Sequence, residues 1–524
     1  MPASRIYRSP FPDPDVPAQD LVGFTLGRAD RWPDRIAVVD GTSGESVTYG
    51  QLVVAVDRAR RRLTALGVGP GTRVGLSAAN QPAWVVAFYG VLAAGATVVP
   101  LNPALTSTEV RHLLGLVRPA AVIADPQGLP AVTAAVEAGV PPAVLALHEV
   151  AGGPRPQGAD GAEVAGDPEA PLGAAGPRDV AVVAFSSGTT GGAKGVQLTH
   201  GNLVANLVQH EPVYHVGPDD VVLAAMPLFH IYGLSIVLGY ALSHGATVVT
   251  MPRFDLDAYC RLVREHGVTW LHLVPPMVLG LTRRAGRDDL SSVRHAVSGA
   301  APLDAGVAAR AGALLGCTVG QGYGMTEASP GVTWVPDDGS VPCGQGSVGL
   351  LVPGTEARLV DPATGRDTEG QGELWVRGPQ VMAGYLDDPA ATAAVLTEDG
   401  WLRTGDVLRV DADGVWWVVD RIKELIKYKG WHVAPAELEA VLLEHPSVAD
   451  AAVAGVADPE AGEVPVAWVV ARTPVDPADL LAWVAARVAP YKKVRRVHVV
   501  DRIPRSPAGK VLRRMLAEPP GQPG

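Results

Sequence analysis

The sequence predicts α/β lobes followed by a compact α+β unit, so two or more domains in all. Three observations point there. The chain has 524 residues, more than one hydrophobic core usually serves. From about residue 35 onward, short Val-rich runs alternate with helical patterns, which is how α/β layers with parallel sheets read in sequence. Beyond Asp420 the order becomes GEVPVAWVV, an apolar-periodic stretch from Asp476 to Val488, then RRVHVVD.

Taken in order, the runs RIAVV, TRVGLSA, ATVVPL, AAVIAD, VAVVAF and VVLAAMP are the expected strands. The uncharged stretch Ala83–Leu101 is long enough to raise the question of a membrane span. Gly90, Gly95 and Pro100 interrupt it, so it divides into a helix (AWVVAFYGVLAA) and a strand (ATVVPL). Gly95-Ala96-Thr97-Val98-Val99-Pro100 is echoed by Gly245-Ala246-Thr247-Val248-Val249-Thr250. Two similar subdomains would produce that echo, and so would chance. Residues 150–178 are rich in Gly, Pro and Ala without apolar periodicity, the pattern of a surface loop or linker. The closing EPPGQPG reads as a loose tail.

Hydrophobic residues make up 47% and charged residues 19%, as in a well-buried globular protein. Aromatic residues are 5%, so the core must rest on Val, Leu and Ala. A formal charge of −11 with both signs interspersed disfavours nucleic acid or an anionic membrane as partner. Cys260, Cys317 and Cys343 lie far apart, without metal-ligand spacing. They fit free thiols in a reducing compartment. The N-terminus lacks an apolar signal core. The expectation is a soluble, cytoplasmic protein without a membrane span.

The densest local signal is Ser186-Ser187-Gly188-Thr189-Thr190-Gly191-Gly192-Ala193-Lys194-Gly195, directly after VAVVAF. Small residues let backbone N–H groups converge on phosphate oxygens, while hydroxyls and Lys194 add donors. The alternative is a polar hairpin loop. It is not the P-loop pattern, because Ala193 takes the second glycine's place and Gly195 follows the lysine. Gly344-Gln345-Gly346-Ser347-Val348-Gly349 matches GxGxxG, but neither a strand nor a helix flanks it as dinucleotide binding requires. Gln321-Gly322-Tyr323-Gly324-Met325-Thr326-Glu327 sets a ring, a hydroxyl and a carboxylate on a glycine-loosened segment. Such a segment suits a purine, a phosphate and Mg²⁺; on its own it is equally a turn. Asp406, in WLRTGD, offers a carboxylate to two ribose hydroxyls or simply closes a turn. Lys510, in SPAGK, would by default be a solvated lysine.

The ordered set SSGTTGGAKGV, PLFHIYGL, SGAAPL, QGYGMTE, GELWVRGPQVMAGY, GWLRTGDV, DRIKELIKYKGWHVAPAELE and SPAGK resembles the adenylate-forming superfamily of acyl-CoA synthetases, adenylation domains and beetle luciferases. Within it the chain looks closest to the 4-coumarate–CoA ligase group. The resemblance implies a large N-terminal AMP-binding domain (1–419), formed by two α/β lobes with a β-rich extension, and a small mobile C-terminal α+β domain (420–524). It implies an ATP-dependent acid–CoA ligase that forms an acyl-adenylate and then a thioester, with ATP, Mg²⁺ and coenzyme A as its small molecules. Two other members of the superfamily remain as alternatives: a stand-alone enzyme that loads a carrier protein, and a luciferase-like monooxygenase.

Residue roles follow from the same resemblance. Ser186, Ser187, Gly188, Thr189, Thr190, Gly191 and Lys194 would hold the β- and γ-phosphates. Thr326 would meet the α-phosphate and Glu327 the Mg²⁺. Gly299, Ala300 and Ala301, with Tyr323, would frame the adenine; Gln321, Gly322 and Gly324 would also belong to the ATP site, and Asp406 and Arg421 would hold the ribose. Lys510 would bridge carboxylate and α-phosphate. Rotation about a hinge at Lys423 would then exchange Lys510 for a thiol tunnel lined by Lys427, Gly430, Trp431 and His432. His432 departs from the usual glutamine, and Gly192-Ala193 from a Leu-Pro pair. The acyl pocket would be lined by His230, Ile231, Tyr232, Ser235, Leu273, Val297, Gly299, Gly322, Gly324, Pro330, Gly331 and Val332, though His230 could equally be a packed structural histidine. Val297 stands where plant coumarate ligases carry a lysine, and Gly331 is small. Together they imply a roomy, apolar pocket for cinnamate-like or medium-chain acids.

Overall fold

The computed structural model describes residues 5–139, 142–152, 172–173, 175–187, 193–283, 290–429, 431–458, 460–506 and 509–516. Two sheets dominate the first four hundred residues. In the seven-stranded one, Gly384–Tyr385, Ala193–Thr199, Val180–Ser187, Thr97–Leu101, Arg73–Ser77, Ala121–Ala124 and Ala143–Ala146 lie side by side. The nine-stranded one runs Leu350–Leu351, Gly331–Trp334, Val319–Gly324, His295–Ser298, Trp270–Leu273, Val221–Ala224, Thr247–Thr250, Ile36–Asp40 and Ser46–Thr48. The seven-stranded sheet is parallel from Val180–Ser187 to its edge at Ala143–Ala146 and antiparallel at the other edge, while the nine-stranded sheet is parallel within and antiparallel at both edges.

The glycine echo has a structural meaning. Thr97–Leu101 belongs to the first sheet and Thr247–Thr250 to the second, each following an apolar helix and a positive-φ glycine. Each glycine ends its helix at a backbone angle that other residues resist (φ +76° at Gly95, +78° at Gly245). The candidate membrane span resolves into the helix Pro82–Ala93 and the strand Thr97–Leu101. Trp84 to Ala93 are buried on every side of that helix, which is why it carries no amphipathic pattern. Among the described residues no helix is long and apolar enough to cross a membrane. Aromatic residues are few, yet Trp84, Trp270, Trp416, Tyr49, Tyr89, Tyr214, Tyr240 and Tyr259 are the largest fully buried side chains.

A third, antiparallel sheet joins Tyr7–Arg8, Glu356–Val360, Gln371–Arg377, Leu402–Val410 and Trp416–Arg421. It is the β-rich extension. A fourth is built wholly from Trp431–Val433, Ile426–Tyr428, Gly462–Ala471, Val448–Asp458 and Arg496–Val499. Helices Pro435–Leu443 and Pro477–Ala485 accompany it. Its own apolar cluster runs from Ile426 to Val497 and draws on no earlier residue. This α+β unit meets the rest of the chain at several points, among them the Ala436 N–H, which donates to Asp420 at 3.2 Å. A Cβ at Gly509 would lie 3.1 Å from Val274 and 3.4 Å from Pro276, and the Arg283 guanidinium donates to the carbonyl of Ala449.

Candidate active site

Parallel strands bring their C-terminal ends to one edge of a sheet, and in open α/β sheets ligands bind outside that edge. In the nine-stranded sheet this edge gathers Met226 and the turn to His230, Val274, Gly299, and Met325 to Glu327. The third sheet and the small α+β unit approach from the outside.

Asp406 is the best-defined anchor. Pairing of Leu402–Val410 with Trp416–Arg421 sets Asp406 opposite Arg421. The arginine Nε lies 3.0 Å from Oδ1, and the Tyr323 hydroxyl donates to Oδ2 at 2.7 Å. Asp406 is buried, and Gly405 before it turns at φ +72°. Burial pushes the Tyr323 phenol well above its ordinary range, with the Asp406 charge adding to the effect. Tyr323 therefore stays a neutral donor.

Around the expected adenine frame, Gly299 N–H donates to the Leu273 carbonyl at 3.0 Å. Ala300 adopts φ +67°, a left-handed conformation that costs a non-glycine residue about 1 kcal/mol, and Ala301 follows it, half-buried. Gln321 spends its amide on the backbone of Leu303, at 2.9 and 3.3 Å. It braces the 299–303 loop. Gly322 admits no side chain, since a Cβ would lie 2.7 Å from the Trp334 ring, and at Gly324 one would lie 2.2 Å from the Pro330 carbonyl oxygen.

At the expected phosphate end, Ser186 pairs with Lys194 across the antiparallel strands. Ser186 Oγ is buried and has no hydrogen-bond partner among the described residues, as suits a donor awaiting an anion. Lys194 Nζ lies 4.8 Å over the Tyr385 ring, and the Tyr385 hydroxyl donates to Glu327 Oε1 at 3.0 Å. Thr326 opens the short 3₁₀ turn that carries Glu327. Gly188, Thr189, Thr190 and Gly191, and the side chain of Ser187, lie outside the described residues. Among the described residues no cluster of three His, Cys, Asp or Glu groups could hold a metal ion. A single carboxylate, Glu327, remains here, the arrangement expected where phosphates supply the other ligands of Mg²⁺.

Lys510 reaches this cleft from the small unit. Burial holds its pKa down to about 8; the Arg421 charge pushes the same way, and Glu424 and Asp406 oppose it. Lys427 sits elsewhere in the unit, exposed, on the hairpin where it pairs with His432. Its backbone N–H donates to Glu463 at 2.8 Å. Lys423 is exposed on the turn between the third and fourth sheets. Gly430 and the side chains of Trp431 and His432 are outside the described residues.

The residues expected to line the acyl pocket gather near Gly299. Ile231, Tyr232, Ser235, Leu273, Val297, Gly299, Pro330, Gly331 and Val332 are all buried. A Cβ at Gly299 would touch the Tyr232 ring at 3.3 Å. Tyr232 and Ser235 lie on a π-helix, Tyr232–Tyr240, a form often found at functional sites. His230 precedes it, partly exposed to the cleft, accepting from the Tyr232 N–H at 3.3 Å. Its surroundings hold its pKa to about 4 through desolvation. The room expected beside Gly331 is taken: His210 Cε1 lies 2.3 Å from where a Cβ would stand. Asn206 exchanges two bonds with the Gly331 backbone, both 2.9 Å, and fixes this approach.

Sequence reasoning missed the layer beneath. His210, Trp334, Tyr214 and His272 form a continuous ring cluster, His272 reaching Tyr232 at 5.9 Å. The Tyr214 hydroxyl and His272 Nε2 are 2.8 Å apart. These residues come from separate elements, and no local pattern joins them. Tyr385 had a signal, as the last residue of GELWVRGPQVMAGY.

Comparison with known proteins decides the family. Residues 27–386 match the AMP-binding enzyme family, and residues 437–510 match the AMP-binding enzyme C-terminal domain. This chain belongs to the AMP-binding enzymes. Among relatives of this AMP-binding enzyme, 4-coumarate–CoA ligase 5 of Oryza sativa subsp. japonica is 38% identical, over 98% of this chain and 97% of its own. ATP-bound MatB from Rhodopseudomonas palustris superposes with a TM-score of 0.86 at 29% identity, over 95% of this chain and 98% of its own. O-succinylbenzoate coenzyme A synthetase (MenE) from Bacillus subtilis, solved with ATP and magnesium, gives 0.81 at 29% identity, over 94% and 99%.

Proposed function

We propose that this AMP-binding enzyme is an ATP-dependent acid–CoA ligase acting on a cinnamate-like or medium-chain carboxylic acid. The ligase class rests on kinship along nearly the whole chain with a 4-coumarate–CoA ligase. The observation that carries the two-step reading is the meeting of Lys510, Asp406 and Arg421 at the strand-end cleft.

The acid is ionised at neutral pH and needs no base. Its carboxylate oxygen attacks the α-phosphorus of ATP, pyrophosphate leaves, and the acyl-adenylate forms. Two anions must be brought together, so positioning and cations carry the rate. Asp406 and Arg421 hold the ribose, Tyr323 and the 299–301 loop frame the adenine, and Lys194 with the 186–191 hydroxyls and amides receives the terminal phosphates. Thr326 meets the α-phosphate, and Lys510 spans it and the incoming carboxylate. Mg²⁺ at Glu327 neutralises phosphate charge when bound. In the second step the CoA thiol attacks the acyl carbonyl and AMP leaves. Rotation at Lys423 presents Lys427, Gly430, Trp431 and His432 for this thiol. The apolar lining from Ile231, Leu273, Val297 and Val332, with His230 at its mouth, supports the acid class. We place the enzyme in the cytoplasm, in keeping with its free cysteines.

The test is pyrophosphate release over a panel of acids, with and without CoA, for wild type and Lys510→Ala. Acid-dependent release that turns catalytic with CoA and collapses in the variant is the expected result. Release indifferent to CoA, with transfer to a holo-carrier protein, would shift the acceptor to a carrier. Strict preference for acetate would overturn the acid class.

A further inference from the structure

Glu424 divides its carboxylate between two cations. Oε1 lies 3.9 Å from Lys510 Nζ, while Oε2 takes the Arg513 guanidinium. The arginine is anchored beyond that contact: Nη2 lies 2.7 Å from Glu439, and Nε donates to the Val453 carbonyl at 2.8 Å. The lysine loop is braced separately. Arg505 bonds Asp450 at 2.8 Å and donates to the Gly509 carbonyl at 3.0 Å, and Ser506 N–H donates to the Lys510 carbonyl at 2.8 Å. From the lobe side, Arg421 and Asp406 face the same ammonium.

An unopposed Glu424 would close on Lys510 as an ordinary ion pair and hold it back from substrate. Arg513 occupies the carboxylate first. It is bidentate in reach, anchored at three points, and charged at every accessible pH. We propose that Arg513 is a positioning residue for Lys510, acting through the shared carboxylate of Glu424, which keeps the ammonium loosely held and free to meet the substrate anions. The proposal rests on reading Lys510 as the cation of adenylation. Asp420 and Glu439 also face the arginine, but the lysine itself is met by Arg421, Asp406, Glu424 and Arg513.

This arrangement makes a prediction of sign. Losing Arg513 frees Glu424 for Lys510 and removes a repelling cation, so the lysine holds its proton to higher pH. Losing Glu424 does the reverse. A residue that merely supported the fold would not shift one neighbour's titration in opposite senses.

The experiment is competitive labelling of Lys510 with acetic anhydride, read by mass spectrometry across pH on the full chain, for wild type, Glu424→Gln, Arg513→Gln and Arg513→Lys. The labelling midpoint is expected to rise in Arg513→Gln, fall in Glu424→Gln and stay near wild type in Arg513→Lys. Acid-dependent pyrophosphate release should fall about tenfold or more in kcat for Arg513→Gln, with KM for ATP little changed, and recover in Arg513→Lys. Midpoints that move together, or not at all, overturn the proposal. If circular dichroism shows Arg513→Gln unfolded, Glu424→Gln against Arg513→Lys decides, and an unmoved midpoint in the first overturns it. Opposite shifts in a wild type that releases no pyrophosphate with any acid would uphold the charge arrangement and sink the adenylation reading instead.

Discussion

The Tyr323 hydroxyl donates to Asp406 at 2.7 Å, tying the end of a parallel strand in one sheet to the antiparallel sheet beside it. With Arg421 on the other oxygen at 3.0 Å, the carboxylate is fixed from two sides. Tyr323→Phe removes a hydrogen bond to a carboxylate, which costs about 1.5 kcal/mol or more, so ATP affinity should fall about tenfold or more. Asp406→Ala strands the half-buried Arg421 as well and should weaken ATP by more than 100-fold, on the order of 3 kcal/mol. Isothermal titration with ATP separates the two; equal losses would mean that Tyr323 and not the carboxylate carries the site.

Lys510 has its pKa lowered to about 8, chiefly by burial. Adenylation that needs the ammonium should therefore decline as pH rises through 8. Stability should move the other way. Between about 8 and the ordinary lysine value near 10.4, the unfolded chain holds a proton that the folded chain has released, so folding gains as pH rises. Stopped-flow pyrophosphate release and urea midpoints over pH 7–10 check both limbs. Lys510→Ala should lose the decline and about 10²–10³ in rate.

Asp420 behaves in the opposite sense. Burial raises its carboxyl to about 6 against the pull of Arg513 and of the Arg421 and Ala436 N–H groups. The folded chain keeps a proton that the unfolded chain loses near 4, so stability should fall as pH climbs from about 4 to 6. Asp420→Asn should flatten that slope, as urea midpoints at pH 4.5 and 7 would show.

Gly331→Ala should destabilise the lobe by about 1–3 kcal/mol, because its methyl would stand 2.3 Å from His210. Burial keeps His210 neutral, with a pKa of about 4, and its Nδ1 donates to the Asn206 carbonyl at 2.6 Å. Nothing there can swing aside cheaply. Thermal melting of Gly331→Ala, His210→Ala and the pair should give a double variant more stable than the two single losses added together. Simple additivity would show that the glycine's space is open after all.

Much of this was legible in the sequence, for physical reasons that also mark where legibility ends. Fully buried parallel strands must be short and apolar, so RIAVV, ATVVPL and VVLAAMP announced themselves. The loops proposed to bind phosphate, adenine and ribose carry glycines, hydroxyls and one charge in fixed order, and such order is local. Residues that matter through distant neighbours left no such trace. Gly331 looked like open room because His210, more than a hundred positions earlier, fills it. The bracing of Leu303 by Gln321 was not legible, because nothing near the glutamine announces that partner. Arg513 and Glu424 are ordinary charges until the fold sets them on one carboxylate and one lysine.

The first fifty residues carry a last consequence. Ile36–Asp40 pairs with Thr247–Thr250, and Tyr7–Arg8 with Ala357 and Glu356. As the chain leaves the ribosome, its earliest strands wait for neighbours more than two and three hundred residues downstream, while the sheet of residues 73–146 can already assemble. Until those neighbours emerge, each strand keeps an unpaired edge that another chain could take. A chain cut before residue 247 would leave the Ile36–Asp40 edge without its parallel neighbour, a seam open to aggregation.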